Sequence, residues 1–483
     1  MSNQAVTLAI DQGTHLSRAL LFDPGGEVIA QFSEPVEIFH RSSVEVEQDP
    51  DEIIDSIHSI VSQSLQFAAQ HQKRISHIGL ATQRSSIVAW HKTTGKALSP
   101  VLSWQDRRAA DWLMSFAAHQ TTIIERTGLR LSPHYGVSKL NWLRKNIPAV
   151  IAAEAQQQLA FGPLASFILF HLLEGNPLVV DHANAARTLL WNITSCDWDD
   201  VLLKLFEIPR PYLPQCYPIR HCYGYLKNHS IPITAVNGDQ TAALCAAAEV
   251  NQEGVWINMG TGAFILKSTG CQLIRHRKLL SGIADSDAQE KRYVLEGTVN
   301  NAGSAIDWLS EQVSIPHLYQ KLDVALRSIT DPPLFMNTIS GLGSPWWGKG
   351  PAPQFHDLDG KPLTNLPADH RLVAVVESIL FLIQANLDCM AETHLPIKGI
   401  TISGGLAQSD ALCQKLADLS GLTVQRPALV EATAQGIAWL AAGKPSGWHK
   451  QGKIDYFSSK ATTARQNVIN ERYQKFVSIL QSN

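Results

Sequence analysis

The sequence lacks a disulfide framework: seven cysteines are scattered over 483 residues, odd in number and without a CxxC pair. The nearest two, Cys216 and Cys222, lie in a loop-like stretch rich in Pro and Tyr and read as reduced thiols rather than a metal site. An excess of charge is missing too. With 40 basic and 43 acidic residues the formal charge is −3, so no global basic field exists to hold a polyanion, which argues against nucleic acid as a partner. Apolar runs such as Ser378 to Leu387 fall short of the roughly 20 residues of a membrane span. No basic segment or cleavage site follows Met1. The expectation is a cytoplasmic protein without a membrane partner, in which the sequons at Asn192 and Asn228 are chance matches.

Familiar nucleotide and metal signatures are missing as well. Gly343-Ser344-Pro345-Trp346-Trp347-Gly348-Lys349 has P-loop spacing, but Gly350 stands where a Ser or Thr must meet magnesium. Gly341-Leu342-Gly343 lacks the third glycine of a dinucleotide fingerprint. No HExxH-like spacing occurs. What is present is ample core material, 45% hydrophobic against 17% charged residues, in a length that suits two to four domains.

The chain begins twice in the same way. Ala5 to Ile10 is an apolar strand-like run, followed by Asp11-Gln12-Gly13-Thr14 and a second run, Ala19 to Phe22, that ends in the turn signal Asp23-Pro24-Gly25-Gly26. Val255 to Ile257, Asn258-Met259-Gly260-Thr261-Gly262 and Ala263 to Leu266 repeat the pattern. Asp11 and Asn258 are 258 − 11 = 247 positions apart, about half the chain. Two such turns offer backbone N–H groups to phosphate oxygens from two sides of a cleft; as spacing alone they are equally two common hairpins.

Helices and strands alternate through both halves. Asp49-Pro50-Asp51-Glu52 is a helix start, and Ile53, Ile57, Ile60, Val61 and Leu65 recur on one face. Strands are expected at Ile75 to Thr82, Ile231 to Val236 and His394 to Ser403. Helices are expected at Thr241 to Glu249, around Leu412, Leu416 and Leu419, and over Ile469, Tyr473, Phe476 and Leu480. Pro345 to Pro367 reads as an irregular insertion. Asn237-Gly238-Asp239-Gln240, between a strand and a small-residue helix, puts a carboxylate at a cleft edge, where it serves either as general base or as helix cap.

The segments LAIDQGTHLSRALLFD, WQDRR, NAARTLLWNITSCDWDD, NGDQTAALCAAAE, NMGTGAFIL, LEGTVNNAGSAIDWL, GLGSPWW and SGGLAQSD resemble, in identity and order, the FGGY family of carbohydrate kinases, and most of all its glycerol kinase branch. The resemblance runs from about residue 5 to about residue 445. It implies an α/β protein of the two-domain actin-like, ribonuclease-H-like ATPase fold, with domains at 1–248 and 249–483 and ATP and substrate in the cleft between them. It makes Asp239 the general base, and Asp11 and Asp239 the acids near Mg²⁺. Gly13, Thr14, His15 and Arg18 belong to the first phosphate loop, and Gly260 and Thr261 to the second. Gly303, Asp307, Gly405 and Ser409 stand at nucleoside-contacting positions.

For the substrate the resemblance implies a pocket of Arg84, Ser85, Trp104, His134, Gln240 and Phe264, a small polyol or sugar, and a homo-oligomer, dimer or tetramer. Ser85 stands where glycerol kinases place a Glu, and His134, aligned on Lys139, where they place a Tyr. The lost carboxylate argues against glycerol as the preferred substrate, because pockets built around hydroxyls discriminate by about 10⁴ when a partner is missing. Glycerol itself, a ketopentose of the xylulose or ribulose type, and a non-catalytic nucleotide or sugar sensor are the alternatives.

Overall fold

The computed structural model describes residues 5–248, 253–313, 318–428, 431–448 and 453–481. In the first half, β1 (Ala5–Gln12), β2 (Leu16–Phe22), β3 (Val28–Pro35), β4 (Arg74–Thr82), β5 (Arg220–Tyr225) and β6 (Pro232–Gly238) form one sheet in the order β5-β6-β4-β1-β2-β3. The β1–β2 pair is antiparallel and β1–β4 parallel, so β1 lies inside the sheet, and seven of its eight residues are buried. In the second half, β7 (Val255–Met259), β8 (Ala263–Gly270), β9 (Leu280–Ser286), β10 (Lys291–Val299), β11 (Ile400–Ser403), β12 (Val424–Pro427) and β13 (Ile454–Phe457) are ordered β9-β10-β8-β7-β11-β12-β13.

Without β9 and the outer strands β5 and β13 the two orders are one pattern: β3-β2-β1-β4-β6 corresponds to β10-β8-β7-β11-β12, whereas β5 precedes its neighbour in the chain and β13 follows its own. The 247-residue spacing is therefore a repeat of topology. In it β1 and β7 are equivalent, each leading through a Gly-containing turn to an antiparallel neighbour. The two-domain α/β architecture is that of the actin-like, ribonuclease-H-like ATPases.

The first long helix, α1 (Pro50–Gln70), starts where expected. Asp49 accepts from the N–H groups of Asp51 and Glu52, and Ile53, Ile57, Ile60 and Val61 are buried. After several intervening helices, α2 (Asp239–Ala248) begins two residues earlier than the small-residue pattern suggests, so Asp239 is its first residue. The second half adds α3 (Gly303–Val313), α4 (Ala368–Ala391), α5 (Asp410–Ser420), α6 (Ala432–Ala441) and α7 (Thr463–Gln481). By length and composition α4 could cross a membrane, but 83% of its most apolar window is buried inside the protein, as befits the core helix of the second half. The strand expected from His394 is only Ile400–Ser403; Pro396 cannot donate to a ladder and His394 has a positive φ. Most of 345–367 is irregular, relieved by a small sheet of two-residue strands that includes Phe355–His356 and Pro362–Leu363.

One helix crosses over. Although α6 follows the strands of the second half, it packs on α2 and on the sheet of the first. The approach is close enough to demand glycine: a Cβ on Gly436 would lie 1.8 Å from the Ala242 carbonyl oxygen, and one on Gly79 would lie 2.6 Å from that of Ile437. Beyond α6, Trp448 stacks on Phe22 and donates its indole N–H to the Pro24 carbonyl at 2.9 Å.

Candidate active site

The site grows from the ends of β1, β4, β6 and β7. Asp11, near the end of β1, is buried, and its Oδ2 lies 2.6 Å from Arg18 Nη2 on the paired strand β2. The other arm of that guanidinium pairs with Glu431, the residue before α6. Burial, aided by the charges of Asp239 and Glu431 and opposed by Arg18, raises the Asp11 pKa to about 6. The Gly13 N–H closes the first turn on the Leu16 carbonyl at 2.9 Å. Behind the turn, Gln83 Nε2 donates to Gln12 Oε1 at 3.1 Å and Gln48 Oε1 at 2.9 Å, and Gln48 Nε2 donates to the Thr14 carbonyl at 2.8 Å. Trp104 Nε1 donates to Thr14 Oγ1 at 3.0 Å, joining the turn at Gly13 to the expected substrate wall. His15 is exposed.

Asp239 keeps 28% of its side chain accessible and lies 3.5 Å from Arg84 Nε. Its own helix helps to hold it, for Oδ1 accepts from the Gln240 N–H at 2.7 Å. Burial raises its pKa, against the lowering effect of Arg84. Arg84 in turn donates to Glu296 Oε2 at 3.3 Å, and Glu296, on β10, also takes both arms of the buried Arg187. Although burial alone would raise the Glu296 pKa, the two guanidiniums hold it at about 2. Gly238 makes room for this chain of charges, since a Cβ there would lie 2.4 Å from Arg84 Cδ.

Ser85 is buried at φ 68, a left-handed conformation uncommon for a non-glycine residue, and its Oγ has no hydrogen-bond partner among the described residues. His134 packs edge-on against Trp104 with ring centroids 5.6 Å apart. Burial, and then Lys139, Arg187 and Arg84, lower its pKa to about 3, so the imidazole is neutral at pH 7. Lys139 pins this loop, its ammonium donating to the Pro133 and His134 carbonyls at 3.0 and 2.7 Å. Gln240 Oε1 accepts from Asn258 Nδ2 at 3.3 Å, and Asn258 is the strand partner of half-buried Phe264.

At the second turn the Gly303 and Ala302 N–H groups donate to the Gly260 and Thr261 carbonyls, both at 2.9 Å. A Cβ on Gly303 would meet the Gly260 oxygen at 2.8 Å, and one on Gly404, at φ 96, would meet the Met259 oxygen at 2.4 Å. Three backbone segments thus converge around the exposed Gly260 and Thr261, with Gly405 open to solvent beside Gly404. Asp307 is exposed on α3; burial and this carboxylate push the Tyr319 phenol up to about 12, and the Tyr319 hydroxyl donates to the Gly303 carbonyl at 2.9 Å. Ser409 caps α5, accepting from the Leu412 N–H at 3.1 Å and donating to Asp323 at 2.8 Å, so the fold already uses its hydroxyl.

Among the expected residues, Asp11, Gly13, Thr14 and Arg18 are joined through Trp104 to His134, and Asp239 to Arg84 and Gln240. Glu296, Arg187, Glu431 and the Gln12/Gln48/Gln83 cluster were not singled out in the sequence. Arg187 and Glu296 lay inside the segments NAARTLLWNITSCDWDD and LEGTVNNAGSAIDWL; Glu431 had no such signal.

The N-terminal domain model of the FGGY family of carbohydrate kinases matches residues 6–246, and its C-terminal domain model matches 255–443. A glycerol kinase of Acinetobacter baylyi is 35% identical over 453 residues, covering 90% of each chain. One from Rippkaea orientalis is 32% identical over 452 residues, covering 91% of this chain and 89% of the other. Among solved structures, Plasmodium falciparum glycerol kinase with ADP superposes with a TM-score of 0.89 at 23% identity, over 99% of this chain and 98% of that one. Gluconate kinase from Lactobacillus acidophilus gives 0.86 at 19%, with the same coverage, and these two likenesses speak for the fold.

Proposed function

This chain belongs to the FGGY family of carbohydrate kinases, and from that premise we propose that it phosphorylates a hydroxyl of a neutral polyol or sugar larger than glycerol, with Asp239 as general base. The observation that carries this reading is Asp239 itself, held at the head of α2 beside Arg84 with part of its carboxylate open to the cleft. ATP is the phosphate donor the family implies. Asp239 accepts the proton of the attacking hydroxyl, its raised pKa bringing it nearer the pH at which a base both stays ionised and takes a proton effectively. Arg84 keeps the carboxylate oriented, Trp104 and His134 form a wall against the substrate, and Arg18 with the turn at Gly13 meets the phosphates.

No group of three His, Cys, Asp or Glu suited to a metal occurs among the described residues. That fits Mg²⁺, which is usually held by one or two carboxylates together with substrate phosphates. Asp11 and Asp239, whose charges act on one another, would hold it. When bound it neutralises phosphate charge.

Two features support a neutral substrate longer than glycerol. Arg84 already lies between the carboxylates of Glu296 and Asp239, which leaves it poorly placed to bind a substrate carboxylate. Ser85 is a short residue whose buried hydroxyl lacks a partner among the described residues, so it fills less of the wall than a Glu in the same place would. Glycerol is the second reading, favoured by the curated relatives. The test is kcat/KM across glycerol, erythritol, pentitols and ketopentoses for the parent and Ser85→Glu. The substitution should raise glycerol use and depress that of the longer substrates. Unchanged or weaker glycerol kinetics would remove the argument from Ser85.

A further inference from the structure

We infer that Glu431 is a positioning residue of the transfer reaction: it fixes the Arg18 guanidinium beside Asp11, so that the first phosphate loop and the catalytic helix are aligned by one helix end from the other half of the chain. The inference rests on the kinase reading above and on Arg18 as a phosphate contact.

Five observations carry it. Arg18 and Glu431 are 413 positions apart, and their side chains pair in the cleft, 27% and 18% exposed. The opposite arm of the same guanidinium holds Asp11 at 2.6 Å, so its orientation is fixed from both ends. Two residues on, at the start of α6, Thr433 Oγ1 donates to the Asp239 carbonyl at 3.3 Å, so the segment that holds Arg18 also holds the backbone of the base. The contact between Gly436 and Ala242 leaves the helices α6 and α2 no room to slide. In the repeated topology Glu431 is the counterpart of Asp239: β6 leads into α2 through Asp239, and β12 leads towards α6 and Glu431.

Charge decides what Glu431 can contribute. A second carboxylate on Arg18 does not strengthen ground-state attraction for a phosphate; it weakens it. Its benefit must lie in geometry, which is expressed in the transition state and therefore in kcat. Misplacing a reacting or charge-stabilising group by about 1 Å can cost about 10²-fold.

The experiment compares the parent, Glu431→Gln, Arg18→Ala and the double variant. Nucleotide Kd is read by fluorescence titration without acceptor, kcat on the best acceptor, and thermal midpoints on all four proteins. Glu431→Gln should lower kcat ten- to hundredfold while nucleotide Kd stays within about threefold or tightens. In the Arg18→Ala background it should cost less than threefold more, since its effect passes through Arg18. An unchanged kcat, a weakened Kd at normal kcat, or a loss that multiplies fully with Arg18→Ala would overturn the inference. Should Glu431→Gln lower the midpoint by more than a few degrees, Glu431→Asp, which keeps the charge, must recover kcat, and its failure counts the same way. If Arg18→Ala itself leaves both Kd and kcat intact, the reading of Arg18 falls instead.

Discussion

Replacing Glu296 by Gln should destabilise the protein at neutral pH by about 3 kcal/mol, a figure reached by two routes. The carboxylate is 2% exposed and shared by Arg84 and Arg187, themselves 7% and 5% exposed. Breaking a buried ion pair by removing one partner typically costs about 3–5 kcal/mol, because the other charge is left without compensation. Independently, a pKa lowered from 4.5 to about 2 corresponds, at about 1.4 kcal/mol per pH unit, to roughly 3 kcal/mol of preference for the ionised form in the folded state. That stabilisation is complete above about pH 4.5, the unfolded value, and is lost as pH falls through about 2. For a folding unit of about half this chain, 3 kcal/mol is a fall in thermal midpoint of roughly 6–12 °C. The assay is thermal and urea unfolding of parent and Glu296→Gln at pH 7, repeated towards acid. The difference between them should shrink as the parent carboxylate protonates. A variant within about 1 kcal/mol of the parent at pH 7, or a gap that widens in acid, would refute the assignment of this triad.

Gly436→Ala should destabilise by about 1–3 kcal/mol or more through overpacking at 1.8 Å from the Ala242 carbonyl, and should impair activity because α2 begins with Asp239; unfolding midpoints and kcat check both. His134→Tyr should flatten the acid limb of the stability profile. The parent imidazole titrates at about 3 when folded against 6.5 ordinarily, so the unfolded chain binds the extra proton and stability falls as pH drops from about 6.5 towards 3. Urea midpoints at pH 7 and 4.5 that move in parallel for the two proteins would contradict this.

Local features were the most legible in the sequence. The two Gly-Thr turns lie between apolar strand runs, and Asp49-Pro50 starts a helix because its cap needs only residues two and three positions on. Asp239 at a strand-to-helix junction was readable for the same reason, although where α2 starts was not, since Asp239-Gln240 suits both a cap and a first turn. The repeat was visible as a spacing and became a topology only when β4 and β11 were seen to pair in parallel with β1 and β7. The charge chain was illegible because its members are far apart: Arg84 meets Glu296 across 212 positions and Arg187 meets it across 109. The resemblance puts Ser409 at a nucleoside-contacting position; that its hydroxyl also donates to Asp323 was not legible, because the partner lies 86 positions away.

Transfer of phosphate from ATP to a polyol or sugar hydroxyl through Asp239 is the proposed activity of this cleft. The most direct measurement is ADP release on a panel of polyols and sugars, with the parent protein and Asp239→Ala side by side. At least one neutral acceptor longer than glycerol should raise ADP release well above the background without acceptor, and Asp239→Ala should lower that rate by about 10²–10⁴ while still binding nucleotide. An acceptor-dependent rate that survives loss of Asp239, or ligands that bind without raising ADP release, would contradict it.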